Sequence, residues 1–339
     1  VFMLGNNVKS KTVEALLQMD KALQINEQSS WGDIIKNISL SKYVKINSDA
    51  KKISRIEEIW QLNKIQSAAT SLCIGKNANV YASFFDGTIH QITPEGEEKT
   101  LYKGIDKLYG LCIDNDYNMY FFDEKCFIRK INSKGQELWN KQNNNKYYGG
   151  ALCIDNNGNV YSGGDEDTIM KLNLNGEELW KKKISNSYIT ALCVDENGNI
   201  YSGGWDETLR KLNPNGEELW KKKIDDIINT LCLDKKGYLY VGSSDNTIRK
   251  INSDGEELWK FTGHNNAVTG LCIDENENIY SVSAENLIVI SSNGNEIARC
   301  TGSYSGKVCA KDLRNIYTGV GASIIIKKTE FLTFISIDV

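Results

Sequence analysis

Seven copies of a ~40-residue unit, four short strand-like runs in each copy and turn chemistry between the runs predict one fold class. It is an all-β, seven-bladed β-propeller with four-stranded blades, preceded by a short α-helical leader. The copies are marked by Cys73, Cys112, Cys153, Cys193, Cys232, Cys272 and Cys309, at steps of 39, 41, 40, 39, 40 and 37 residues. Tyr81, Tyr120, Tyr161, Tyr201, Tyr240, Tyr280 and Tyr317 run in step with them. So do the turn glycines Gly96, Gly135, Gly176, Gly216, Gly255 and Gly294, and the tryptophans Trp139, Trp180, Trp220 and Trp259.

One copy shows why each element forms. Ile189 to Val194 is a short apolar run rich in β-branched residues, which reads as a buried strand. Asp195-Glu196-Asn197-Gly198-Asn199 is hairpin chemistry, because Asn and Gly tolerate positive φ. Ile200 to Gly203 and Thr208 to Leu212 read as the second and third strands. Asn213-Pro214-Asn215-Gly216 is another turn, and Glu217 to Lys223 is the outer strand. No copy holds the 10 to 15 residues of 3.6 periodicity that a helical repeat requires.

The ends of the chain bear on the blade number. Lys45-Ile46-Asn47-Ser48-Asp49 matches Lys250 to Asp254, and Glu57-Glu58-Ile59-Trp60 matches Glu177 to Trp180. This predicts an N-terminal outer strand that completes the last blade and removes an open edge. Glu330 to Asp338 reads as the seventh blade's own outer strand. Alternatively Thr333 to Asp338, which resembles Thr190 to Asp195, begins an eighth, composite blade. The organisation expected is a leader over 1–40 and a propeller over 41–339, with seven blades favoured and eight the alternative.

Composition narrows the function classes. The 339 residues carry 40 basic and 44 acidic side chains, a net charge of -4, which argues against a nucleic-acid binder. No apolar stretch approaches the roughly 20 residues of a membrane helix. Val1 to Asn7 lacks the basic-then-apolar pattern of a secretory signal, and removal of a signal ahead of residue 1 stays open.

The run Gly198-Asn199-Ile200-Tyr201-Ser202-Gly203-Gly204-Trp205-Asp206-Glu207-Thr208, continued by Gly216-Glu217-Glu218-Leu219-Trp220, resembles the pyrroloquinoline-quinone-like propeller repeats. Ser243 to Arg249 and the pair Gly263-His264 resemble WD repeats. The likeness covers roughly residues 42 to 339 and implies the propeller fold. For function it implies a binding platform more often than an enzyme. The Gly-His pair occurs once and the closing Trp-Asp pair of WD repeats is absent.

Catalytic constellations are not legible. The quinone-using relatives carry adjacent cysteines and a calcium site; no two cysteines are adjacent here, so no cofactor is expected. The seven repeat cysteines read as small apolar residues packed between blades. No C-x-x-C pair suggests zinc. Only His90 and His264 are available as general bases, and His264 reads as capping or bonding backbone in a turn. The Asp-rich turns at Asp155 and Asp195 read as hairpins rather than calcium loops. The lysine runs 181–183 and 221–223 read as edge protection on outer strands. No catalytic, cofactor or metal residue is therefore assigned. A lyase in the channel would need acid and base groups on inner strands that instead read Leu-Cys-Ile.

Two residue sets are candidates for contact. Phe84, Phe85, Phe121, Phe122 and Trp205 fall at or near the loop before the third strand, at one face of the ring. They are a candidate binding face, with packing between blades as the competing reading. Val13, Leu16, Leu17 and Leu23 have helical spacing, and Ser30-Trp31-Gly32-Asp33 opens a second helix through Ile34, Ile35 and Ile38. Two such helices form no core alone and must pack on something else. With Trp31, these side chains are candidate attachment residues. The leader's pattern resembles leaders of phage tail and fibre proteins.

The expectation is a non-enzymatic binding and assembly module, an accessory structural or adhesion component of a phage tail or phage-like particle made in the bacterial cytoplasm. Its partners would be proteins, met through the leader and one propeller face, with a cell-surface ligand as a further possibility and membership of a larger assembly. The alternative is a bacterial propeller that scaffolds protein complexes in the cytoplasm or envelope.

Overall fold

In the computed structural model each complete repeat folds as an antiparallel meander running from an inner strand outward. The structure describes residues 53–62, 67–104, 106–143, 150–164, 167–184, 187–302, 304, 306–312, 315–320 and 323–332, with backbone alone for 53–62, 320 and 323–332. No described residue is helical. The leader over 1–40, with its candidate attachment residues, lies outside the described residues. Two compact units divide the chain: Ile56–Lys328, and a second made of Val1–Arg55 with Thr329–Val339. The propeller repeats lie in the first.

The fourth copy is representative. Ile189–Val194 pairs with Ile200–Gly204, that strand with Thr208–Leu212, and the last with Glu218–Lys223. Cys193 lies opposite Tyr201, and a bulge at Lys211/Leu212 bends the outer hairpin. Every residue of the second strand is buried, because the strand is covered on both faces by neighbouring sheets. The outer strand reads exposed-exposed-half-buried, as a rim strand should.

The expected seven blades, and the eight-blade alternative, are corrected by the hydrogen bonding. The described strands form six sheets, a six-bladed propeller by sheet count. Five have four strands; the sixth has eight. That sheet runs Gly270–Ile273, Ile279–Val282, Asn286–Ile290, Glu296–Thr301, Ile53–Leu62, Ser323–Leu332, Asn315–Val320 and Val308–Asp312. The strand Ile53–Leu62 bonds on both sides and so fuses the last two repeats into one sheet. Repeat number and sheet number therefore differ.

Apolar clusters fill the spaces between neighbouring copies. Cys193 packs with Trp220 and Leu233 against Ala191, Tyr201, Ile228, Leu231 and Val241, which come from two successive repeats. Cys73, Cys112, Cys153, Cys232, Cys272 and Cys309 occupy matching clusters. Burial pushes the Cys73 thiol up to about 12, so it stays protonated and unreactive at neutral pH.

Candidate functional site

The ends of the repeats differ in chemistry. At the end carrying the first hairpin of each copy, an aspartate organises the turn. Asp195 Oδ1 accepts from the backbone N–H of Asn197 and Asn199 at 3.0 and 2.9 Å. Its Oδ2 accepts from Asn199 Nδ2 and the Tyr201 hydroxyl. Burial, and then the charge of Asp195, raise the Tyr201 pKa, so the phenol stays a donor. Asp155 and Asp274 bind their turns in the same way.

A clasp to the next copy follows. Lys211 Nζ sits 5.2 Å from the Tyr201 ring centroid and donates to the Ser253 carbonyl at 3.1 Å. Trp220 Nε1 donates to the same carbonyl at 2.9 Å. Gly255, at φ +87, lies under Trp220, where an added Cβ would meet the indole at 3.3 Å. Lys130 with Trp139, Lys171 with Trp180, and Lys250 with Trp259 close on Leu174, Pro214 and Ser292 in the same manner. A cavity of about 440 Å³ lies here among Asp155, Asp195, Lys211 and Asp234. Its aspartates are already bonded to their own turns, so this end reads as a structural joint.

At the opposite end the loops between second and third strands are braced by charge. Arg210 Nη2 meets Asp206 Oδ2 at 2.6 Å, and Arg129 meets Asp123 at 2.7 Å and Glu137 at 2.5 Å. Arg249 is 2% exposed and bonds both Asp245 and Asp225 at 2.5 Å, with Glu257 at 3.3 Å. His90 takes the matching place in the first copy, 2.6 Å from Glu98 and 2.9 Å from Thr88 Oγ1. His264 is buried and bonds the Ser281 and Ser283 hydroxyls, not backbone as expected. Burial, and then the Arg299 charge, lower its pKa to about 4, so it is neutral.

The five aromatic candidates separate here. Phe84, Phe121 and Phe122 are buried at 0%, 0% and 2% exposure, so they are packing residues and that part of the expected face is corrected. Phe85 and Trp205 are 45% and 59% exposed. The backbone N–H of Trp205 donates to the Tyr188 carbonyl, and the Trp205 ring lies 5.7 Å from the Tyr188 ring. Gly204 permits that approach, because a Cβ there would sit 2.0 Å from the Tyr188 oxygen. Phe85 stacks edge-on with Tyr109 at 5.7 Å. Sequence reasoning missed Tyr188, Tyr109 and the Arg braces, although Arg129, Arg210 and Arg249 all sit on third strands.

The axial mouth lies at this end. A cavity of about 270 Å³ is lined by the beginnings of seven inner strands, including Ser71, Thr190, Asn229, Thr230, Thr269 and Lys307. The same cavity is lined by Leu72, Leu111, Leu152, Leu192, Leu231, Leu271 and Val308.

These features define a repeat propeller with one structural and one open end. A family model described as outer membrane protein assembly factor BamB matches residues 127–231 and 194–315, together more than half of the chain. The chain belongs to this family of pyrroloquinoline-quinone-like propeller repeats. No curated protein matches it. Among solved structures it resembles the crystal structure of the WD40 β-propeller domain of Doa1. That likeness has 16% identity and a TM-score of 0.71, and covers 80% of this chain and 97% of that one. With 1589 solved chains matching, fold alone selects no particular activity.

Proposed function

We propose that the protein is a non-enzymatic binding platform whose contact surface is the end bearing Trp205 and Phe85. The observation that carries this is Trp205: a 59% exposed residue on a loop held by Arg210 and Asp206, at the same end of the repeat as the axial mouth. Large, rigid aromatics of this kind anchor protein interfaces. Propellers typically bind or scaffold proteins, and no helix among the described residues is long and apolar enough to cross a membrane. A photo-crosslinking residue at position 205 of the full chain, expressed in its own cells, should give discrete protein adducts. The same probe at Asn197, on the opposite end, should give none. Equal adducts at both positions, or none at 205, would contradict the reading.

The finer reading is an accessory structural or adhesion component of a phage tail or phage-like particle, and its support is the leader sequence over 1–40. Light scattering on the full chain should give an oligomer. Substituting Leu16, Leu17, Ile34 and Ile35 by Ser should return a folded monomer. A second reading, a scaffold for protein complexes in the bacterial cytoplasm or envelope, is favoured by the family's description as an outer membrane assembly factor. A full chain that is already monomeric would favour it.

A further inference from the structure

We propose that the axial mouth is a binding site for a small oxyanion ligand, a carboxylate or phosphate that docks on Lys307. The position two residues before the repeat cysteine holds Ser, Gly, Ala, Ala, Thr and Gly in the first six copies and Lys307 in the seventh. One cation thus stands in a ring of otherwise small, uncharged residues. Among the described residues that line the cavity none is acidic. Among the described residues no carboxylate pairs with the Lys307 ammonium; its backbone carbonyl accepts from the Thr318 hydroxyl and the Gly319 N–H. Lys307 is half-buried and lines the cavity together with residues of the six other inner strands, and burial lowers its pKa. A desolvated charge without a partner is costly, and an entering anion would restore what desolvation removes.

The surroundings set the size and character of the ligand. The volume of about 270 Å³ is near the lower end for small-molecule pockets. The lip offers the Ser71, Thr190, Thr230 and Thr269 hydroxyls and the Asn229 amide. Thr190 Oγ1 already donates to the Ile228 carbonyl, and Asn229 Nδ2 to Ser244 Oγ, which leaves their oxygens as acceptors for ligand hydroxyls. These features fit a single acidic group on a compact, hydroxylated body.

This inference is independent of whether Trp205 contacts a protein. Calorimetry on the full chain with sodium glucuronate and with inorganic phosphate tests it, with uncharged glucose as control. At least one anion should bind and glucose should not; the arm that binds says whether carboxylate or phosphate is preferred. Lys307→Met should weaken that binding at least tenfold, and Lys307→Arg should retain part of it. Lys307→Met should also raise the denaturation midpoint of the ligand-free protein, because an uncompensated charge is removed. Three results would each overturn the site: no binding by either anion, unchanged binding in Lys307→Met, or a lowered midpoint showing that Lys307 is already paired.

Discussion

The two ends of the repeats are made of the same strands but answer to different constraints. At the hairpin end, Tyr201, Lys211, Trp220 and Gly255 recur with the same contacts in successive copies. At the mouth end, the residue four beyond the repeat tyrosine is Phe85, Glu124, Asp165, Trp205 and Ser244 in successive copies. Repetition inside one chain therefore separates roles. What every joint needs is repeated; what departs from the repeat, such as Trp205 and Lys307, is not required by the joints, and both proposals rest on these departures.

The largest expected effect falls on the braces that hold the mouth loops. Arg249→Ala should cost about 3–5 kcal/mol in chemical denaturation, because it removes a buried guanidinium and leaves the half-buried Asp245 carboxylate with only Lys260, at 3.9 Å, as a cation. A loss below about 1 kcal/mol would place this brace with ordinary surface pairs and blur the contrast between the ends.

Acid sharpens the comparison next. His264 is held neutral, with its pKa lowered from 6.5 to about 4. Between those values the unfolded chain takes up a proton that the folded chain refuses, so stability falls as pH drops from 6.5 toward 4. The loss should total about 3 kcal/mol, and it should flatten in His264→Gln. Denaturation midpoints at pH 7 and pH 4.5 measure it. An unchanged slope in the variant would assign the acid sensitivity to other groups.

Much of this was legible in the sequence, and the rest was hidden for physical reasons. The strand order within a copy followed from turn chemistry and from the cysteine and tyrosine markers, which lie opposite each other in the pairing. Sheet number was not legible. It depends on Ile53–Leu62 bonding at once to Glu296–Thr301 and Ser323–Leu332, a choice made between segments remote in sequence. The aromatic candidates were confounded by register. Phe121, Phe122 and Phe84 lie one, two and three residues beyond their repeat tyrosines and remain within buried strands, whereas Phe85 and Trp205 lie four beyond and leave the strand. Counting from the tyrosine separates the two groups. Lys307 was visible as a departure from the small residues at its repeat position, but its meaning needed the closed lip of inner strands around it.

Repeated residues hold the copies together, and the unrepeated aromatic at position 205 does not. Denaturation of two single variants of the full chain tests it directly. Trp220→Ala should lose about 2 kcal/mol, from one hydrogen bond and part of an apolar face. Trp205→Ala should change stability by less than about 0.5 kcal/mol. If Trp205→Ala costs as much as Trp220→Ala, the exposed indole is a structural residue, and the division between a jointed end and a recognition end is wrong.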